Sequence, residues 1–335
     1  MKAKNIFYVV DTHTEGEPTR IVISGIPKLK GANVSEKRMF MRSRLDWLRT
    51  ALLMEPRGHQ DQFGAIVLPS HEEYADYALI FMDTGGYLDM CCHAVIGVTT
   101  ALIETGIVEA REPYTYIRYE TVAGIVTAKA KVSGCSVEEV SVIEVPSFYL
   151  GSYELKILDR IIPVHVAYGG NFFVIAESED LEIKLRLRNI NELIKKGLML
   201  RDEASRLISV HHPTQNTVDE EIKLAMITGD PELPESNGKN IVIFGNGQFD
   251  RSPCGTGTAA RLATMYKLGL IKIGQLFIHE SIINTTFKAR IIDTTRIGQY
   301  DAVIPEITGK AFITQICNVV IDSRDPLWTG FNIRG

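Results

Sequence analysis

Cysteine is scarce in this sequence. The 335 residues contain five, Cys91, Cys92, Cys135, Cys254 and Cys317. An odd number of cysteines in so large a chain argues against a secreted framework of disulfides. We therefore expect free thiols and a cytoplasmic protein, in which Cys135 and Cys317 are small packing residues.

Excess positive charge is also missing. The chain has 36 Lys and Arg against 41 Asp and Glu, a formal net charge of -5, and no basic stripe interrupts this mixture. Such a stripe is what a nucleic-acid partner requires. The first apolar run, Ile6 to Val10, ends at Asp11 and His13, so it is too short for a signal peptide and too polar for a membrane span. We expect neither nucleic acid nor a membrane as a partner.

Short metal-binding motifs are absent as well. The sequence contains neither C-x-x-C nor H-E-x-x-H. Six residues could still be drawn as a metal site, namely Asp11, His13, Glu15, Glu17, His59 and Asp61. Alternation along a strand places the first four on one face but gives no fixed ligand pair. We expect no metal and no cofactor, and a structural role for this segment.

The length and the pattern of the chain favour two α/β domains. A chain of 335 residues is about twice the usual domain length. β-Rich runs such as NIFYVVDTH and YALIFMDTGG open the sequence, and helical stretches are predicted around Ser35 to Met54, Ala94 to Glu104 and Ile190 to Leu207. The fold class is therefore mixed α/β.

An internal repeat relates the two halves. CCHAVIGVTTALIETGIV begins at Cys91 and CGTGTAARLATMYKLGLI begins at Cys254, and a glycine follows 15 residues later in each, at Gly106 and Gly269. Each glycine fits a helix C-terminus that needs left-handed backbone geometry. Further on, YIRYE (116–120) corresponds to FIHE (277–280). Two similar halves are indicated, with two unrelated strand-turn-helix units as the alternative.

The turn SPCGTGTAA places Cys254 just before a predicted helix. Backbone N–H groups at a helix N-terminus bind anions such as a carboxylate, and the positive end of the helix is expected to lower the pKa of the thiol. A small buried packing residue is the alternative. Because Cys91 occupies the equivalent place in the first half, the pair suits proton removal from one face of a carbon and delivery to the other.

Five ordered blocks resemble the proline racemase family, whose fold is that of diaminopimelate epimerase. The blocks are DTHTEGEPTRIV (11–22), MEPRGHQDQFGAI (54–66), DMCCHAVIG (89–97), YGGNFFVI (168–175) and DRSPCGTGTAA (250–260). The resemblance implies two pseudo-symmetric domains, each with a buried central helix, and an active site in the cleft between them. It also implies residues 1–130 plus 318–335 as the half carrying Cys91, and 131–317 as the half carrying Cys254.

The resemblance implies a role for several residues. Cys91 and Cys254 would be the acid and base, without a cofactor. Backbone N–H groups of Cys92, His93, Gly255 and Thr256 would hold the substrate carboxylate, and the side chains of His93 and Asp250 would hold its nitrogen. Cys254 favours racemisation over dehydration, since dehydratases of the family carry Thr there. The family reads MCGH where this chain reads MCCH, so Cys92 stands at a glycine position and Cys91 is the preferred base.

Substrate choice is expected to depend on three apolar positions of the family pocket, Phe63, Leu88 and Phe244. Apolar walls favour proline, because a 4-hydroxyl buried there would lose water without gaining a partner. The alternatives are a 4-hydroxyproline 2-epimerase and, from another class, an amino-acid-binding protein without catalysis. The expected partner is a small molecule, proline or hydroxyproline, and a homodimer is left open.

Overall fold

The computed structural model describes residues 5–216 and 218–333. The chain divides into two compact units, one formed by Met1–Asp89, Ala94–Val140 and Lys310–Gly335, the other by Met90–His93 and Ser141–Gly309. The predicted division at residue 130, the return at 318 and the site in a cleft stay predictions. No helix among the described residues is long and apolar enough to span a bilayer.

The first unit is built from strands around one buried helix. Its strands are β1 (Asn5–Thr14), β2 (Glu17–Ser24), β3 (Phe63–Pro69), β4 (Tyr77–Met82), β5 (Tyr87–Leu88), β6 (Tyr114–Thr121), β7 (Gly124–Ser133) and β18 (Ala311–Ile321), while β8 (Ser136–Ile143) crosses the division. Its helices are α1 (Val34–Arg44), α2 (Trp47–Leu53) and α3 (Cys92–Glu104), of which α3 begins in the second unit. The helical stretch predicted over 35–54 is thus two helices, because the chain leaves helical geometry at Leu45.

The second unit is a closed ring of strands. It contains β9 (Ser147–Ile157), β10 (Arg160–Tyr168), β11 (Phe172–Glu177), β12 (Ile222–Gly229), β13 (Gly238–Phe244), β14 (Gln248–Phe249), β15 (Phe277–Glu280), β16 (Thr286–Ile297) and β17 (Tyr300–Gly309), with α4 (Ile190–Leu207) and α5 (Gly255–Lys267). The pairing runs β9, β10, β11, β12, β13, β15, β16, β17 and back to β9. Helix α5 packs against β9, β10, β11, β16 and β17, so it is the central helix of this ring.

Both units use the same pairing scheme, which confirms the internal repeat. In the first, β2 runs parallel to β3, β3 antiparallel to β4, β4 parallel to β6 and β6 antiparallel to β7. In the second, β11, β12, β13, β15 and β16 repeat these four relations in the same order. Gly106 and Gly269 have φ angles of 74° and 73°, the left-handed geometry predicted for both helix ends. α3 and α5 therefore occupy equivalent crossovers, each just after its cysteine.

Candidate active site

Cys254 is the N-cap of α5 and adopts strained backbone geometry. Its φ of 58° and ψ of 103° lie in the region that favours glycine. The side chain is 5% exposed. A Cβ added at Gly257 would lie 3.1 Å from Cys254 Sγ and 2.6 Å from Met226 Cε. A larger residue at position 257 would therefore crowd the Cys254 thiol.

The YGGN block holds the segment that carries Cys91. Asn171 Nδ2 donates a 2.8 Å hydrogen bond to the carbonyl of Met90, the residue before Cys91. A Cβ on Gly170, whose φ is 91°, would lie 2.8 Å from Met90 Cβ, and one on Gly169 would lie 2.3 Å from the Thr256 carbonyl. The two glycines therefore let one loop contact both Met90 and the first turn of α5.

The residues that follow the two cysteines contact each other. A Cβ added at Gly255 would lie 2.2 Å from Cys92 Cβ and 2.6 Å from Cys92 Sγ. Cys92, the first residue of α3, is thus packed against the first residue of α5. Its side chain is 1% exposed and neighbours Glu144, and this burial raises the pKa of the Cys92 thiol well above its usual range.

Cys91 has a different neighbour from Cys92. Its Sγ lies 3.1 Å from Nδ1 of His93, and both side chains are buried. Burial lowers the pKa of His93 to about 3, so the imidazole is neutral near neutral pH. A neutral imidazole beside a thiol can exchange a hydrogen bond with it in either direction. Cys91 and Cys92 therefore have different surroundings, and the preference for Cys91 as the base stays a prediction.

Asp250 lies across from His93. Its Oδ2 is 4.0 Å from His93 Nδ1. Its Oδ1 accepts hydrogen bonds from the backbone N–H of Ser252 at 2.8 Å and from the Ser252 hydroxyl at 2.7 Å. Burial raises the pKa of the Asp250 carboxyl, and the bonds from Ser252 oppose that shift. One nitrogen could approach both atoms at about 2.9 Å, because they are 4.0 Å apart. Their role in holding the substrate nitrogen stays a prediction.

The expected lowering of the Cys254 pKa is wrong. Burial, followed by the negative charge of Asp250, raises the pKa of this thiol well above its usual range. Hydrogen bonds from the Gly257 backbone and the Thr256 side chain lower it, as the helix terminus should, but they are the smaller influence. Helix-end charge effects amount to about 0.3–1 kcal/mol, whereas full burial of an ionisable group can shift its pKa by several units.

The remaining predicted site residues lie in both units. Gly255 and Thr256 are the first two residues of α5, with Thr256 Oγ1 3.8 Å from Cys254 Sγ. Phe244 ends β13 in the second unit, whereas Phe63 begins β3 and Leu88 ends β5 in the first. All three apolar side chains are buried. Their role as pocket walls stays a prediction.

The residues weighed as metal ligands have other partners. Asp11 forms a buried ion pair with Arg20 at 2.7 Å, and Glu15 accepts a hydrogen bond from the Lys310 backbone N–H at 3.0 Å. His59 Nδ1 accepts one from the Asp61 N–H at 3.2 Å. Within residues 5–216 and 218–333, no group of three or more His, Cys, Asp or Glu residues has the arrangement of a metal site.

Glu144 lies beside Cys92, which the sequence analysis did not predict, and one packing prediction is corrected. Glu144 is 3% exposed, and burial raises its pKa to about 7, a shift that the neighbouring Cys92 thiol opposes. A carboxylate inside the apolar run SVIEVPSF was the available sequence signal. Cys317 packs partly buried against the core of the first unit, as expected, but Cys135 is exposed, because it follows Gly134 in the turn between β7 and β8.

Residues 9–332 match the proline racemase family. The chain is 45% identical to a proline racemase of Acetoanaerobium sticklandii, over 99% of this chain and 100% of that protein. It is 42% identical to a proline racemase of Clostridioides difficile, over the full length of both.

The chain is also similar to solved structures of epimerases. A hydroxyproline epimerase from Agrobacterium vitis with bound trans-4-OH-L-proline has a TM-score of 0.93 at 32% identity, covering 99% of this chain and 96% of that one. A predicted epimerase of Pseudomonas aeruginosa, 10% identical with a TM-score of 0.58 over 93% and 99% of the two chains, has a similar fold. The predicted epimerase-type fold is confirmed, and the chain belongs to the proline racemase family.

Proposed function

We propose that the protein is an isomerase that racemises proline with two thiols, Cys91 and Cys254, acting on opposite faces of Cα. The observation that carries the proposal is the contact between Cys92 and Gly255. Because each of these residues follows one of the two thiols and begins a helix, the contact supports a single site served by both cysteines.

In this mechanism one cysteine is a thiolate and the other a thiol. The thiolate takes the Cα proton, the electron pair of the C–H bond passes into the substrate carboxylate, and the second thiol delivers its proton to the opposite face of Cα. The first cysteine ends protonated and the second ends as the thiolate, which is the enzyme form that accepts the other enantiomer. Each form thus needs only an acid and a base of matched pKa.

The rest of the site would stabilise the charge that develops. Backbone N–H groups of Cys92, His93, Gly255 and Thr256 belong to the first turns of α3 and α5, where free donors and the helix dipole favour a carboxylate. The substrate ammonium would donate to Asp250 and His93, whose facing atoms lie 4.0 Å apart. Preorganised donors of this kind lower the barrier most where charge appears in the transition state.

Proline is the preferred substrate and 4-hydroxyproline the second candidate. The relatives at 45% and 42% identity carry the name proline racemase, and the predicted pocket walls Phe63, Leu88 and Phe244 offer no hydrogen-bonding side chain for a ring hydroxyl. The Agrobacterium vitis structure with bound trans-4-OH-L-proline favours the epimerase alternative. An apolar pocket rejects an added hydroxyl only weakly, so both rings belong in the first assay. Free thiols also support the cytoplasmic location as part of the proposal.

Proton exchange in D2O tests the proposal. L-Proline and 4-hydroxyproline are followed by NMR and polarimetry with wild type, Cys91→Ser, Cys254→Ser and, as the matched control, Cys135→Ser, whose site is exposed. We expect wild type and the control to deuterate Cα and invert the preferred ring, and both active-site variants to stop. A protein that binds proline equally well with either serine and exchanges no proton would instead be a binding protein.

A further inference from the structure

Buried side chains form hydrogen bonds with both peptide groups that flank Cys254, in the turn before α5, which we call the catalytic turn. Asn240 Nδ2 donates a 2.9 Å hydrogen bond to the Pro253 carbonyl. On the same peptide, the Cys254 N–H donates to Ser252 Oγ at 3.1 Å. The peptide before the strained cysteine is therefore fixed at its oxygen and at its nitrogen.

The peptide after Cys254 is fixed by Thr258. The Cys254 carbonyl accepts two hydrogen bonds from this residue, one from its backbone N–H at 2.8 Å and one from Oγ1 at 2.8 Å. Oγ1 also lies 2.8 Å from Nδ1 of His279. With the Oγ1 hydrogen directed to the Cys254 carbonyl, Oγ1 accepts from Nδ1–H of His279. This is also the tautomer in which His279 Nε2 accepts from the Asn240 amide at 3.0 Å.

His279 is suited to this fixed role. It is 0% exposed at the middle of β15, and burial lowers its pKa to about 3, so that it stays neutral and keeps one tautomer near neutral pH. Asn240 and Thr258 are equally buried. The three side chains form a rigid support beneath the turn, which we name the turn support: Asn240, Thr258 and His279.

The support determines where the Gly255 N–H points. In a trans peptide the C=O and N–H bonds point in opposite directions, so fixing the Cys254 carbonyl also fixes the N–H of Gly255. It also resists relaxation of the positive φ at Cys254, a geometry that costs on the order of 1–3 kcal/mol and persists only where the surroundings hold it. The anion-binding N–H and the thiol are thus set by the same hydrogen bonds.

We propose that Thr258 and His279 are positioning residues, which aim the Gly255 N–H at the substrate carboxylate and hold the Cys254 thiol in its reactive orientation. The proposal rests on the proposed function, since it assigns the carboxylate to this N–H. Neither residue touches the substrate in this scheme. They act through the Cys254–Gly255 peptide.

The chain offers a closely matched control in the same helix. Thr264 is also fully buried in α5, and its Oγ1 donates to the Ala260 carbonyl four residues earlier at 2.9 Å, as Thr258 does to Cys254. Thr258→Val and Thr264→Val therefore remove the same type of bond from one helix. Only the first removes a bond to the catalytic turn, and Thr258→Ser restores it.

Steady-state kinetics give the first readout. We expect Thr258→Val to lower kcat by about 10- to 100-fold and to raise KM, because a misplaced donor weakens binding and costs more in the transition state. Thr258→Ser and Thr264→Val should stay within about threefold of wild type. His279→Leu should resemble Thr258→Val, and His279→Asn, which can place an amide N–H near the same point, should recover part of the loss. Equal losses in Thr258→Val and Thr264→Val, at equal stability, would overturn the proposal.

Alkylation gives a second readout that does not depend on the racemase assignment. Iodoacetate carries a carboxylate that the N–H groups can hold, whereas iodoacetamide does not, so the ratio of their labelling rates at Cys254 reports the anion-binding groups. Mass spectrometry separates this label from that on Cys135. We expect the ratio to fall in Thr258→Val and to hold in Thr264→Val. A changed ratio in a protein that racemises neither ring would refute only the proposed function, and an unchanged ratio would refute the positioning role.

Discussion

The contact between Cys92 and Gly255 predicts that Gly255→Ala changes the free energy of unfolding, with a sign that depends on the side chain at position 92. In a helix, replacing Gly by Ala normally stabilises by about 0.5–1 kcal/mol. At Gly255 the new methyl would lie 2.2 Å from Cys92 Cβ, although ordinary contacts begin at 3.4 Å, so the two must separate by about 1.2 Å. Overpacking of a core costs about 1–3 kcal/mol. Because this cost exceeds the gain in helix propensity, we expect Gly255→Ala to destabilise the protein by about 1–2 kcal/mol.

Removing the Cys92 side chain should reverse that sign. In Cys92→Gly the contacts to Cβ and Sγ disappear, and the methyl meets the Cα of residue 92 at 3.5 Å, an ordinary contact. Gly255→Ala should then be neutral or stabilising by about 0.5 kcal/mol. The two substitutions are therefore coupled by about 2 kcal/mol, well above the usual error of additivity. Cys92→Gly also removes a neighbour of Glu144. That effect on stability is the same with and without Gly255→Ala, so it cancels in the coupling free energy.

Urea denaturation of wild type, both single variants and the double variant measures the coupling. Activity gives a parallel test, because a shift of about 1 Å in the first turn of α5 should cost about 100-fold in rate, and the double variant should recover much of it. An equal loss of stability from Gly255→Ala with Cys92 and with Gly at position 92 would show that the Cys92 side chain does not limit the space at Gly255.

Three further predictions concern charge. The raised pKa of Glu144, about 7 against 4.5 in an unfolded chain, means that the folded state keeps a proton that the unfolded state releases. The contribution of Glu144 to stability should therefore be fully present below pH 4.5 and fall by about 3 kcal/mol between pH 4.5 and 7. In urea denaturation, Glu144→Gln should remove this part of the pH dependence, and Glu73→Gln on an exposed loop should leave it in place. Because the Cys254 pKa is raised, kcat/KM for the enantiomer deprotonated by Cys254 should still increase above pH 8.5, and a plateau by pH 7 would contradict this. Asp11→Asn should destabilise the protein by about 3 kcal/mol, because the buried Arg20 loses its partner, and an unchanged denaturation midpoint would argue against that.

The repeat could be predicted because it is local and periodic. The interval of 15 residues from Cys91 to Gly106 and from Cys254 to Gly269 defines a helix with a left-handed end, and both helices form as expected. The helix over Ile190–Leu207 follows in the same way from its apolar period. Such signals depend on neighbours within a few turns, which the sequence displays directly.

The sequence pattern alone could not predict which residues face each other on neighbouring strands. The sequence showed Asp11 only as one of six residues that could be drawn as a metal site, whereas the register of β1 and β2 places it opposite Arg20. That register depends on the tight turn at Glu15 and Gly16, whose φ angles of 47° and 100° let two strands fold back with almost no loop. The burial of Glu144 is likewise a consequence of packing between distant segments, because its neighbour Cys92 lies 52 residues earlier in the chain.

Burial is the largest influence on the pKa of Cys254. The helix terminus suggested a lowered thiol pKa, but burial raises the pKa more strongly and favours the neutral thiol. A dry site makes a thiolate costly when the site is empty, and it strengthens every attraction between opposite charges once a ligand enters. The substrate brings an ammonium toward Asp250 and a carboxylate toward the N–H groups of α5 in the proposed reaction, so Asp250 then raises the thiol pKa less. Because burial opposes the thiolate in the empty site, the enzyme form that carries the Cys254 thiolate should be the minor form near neutral pH.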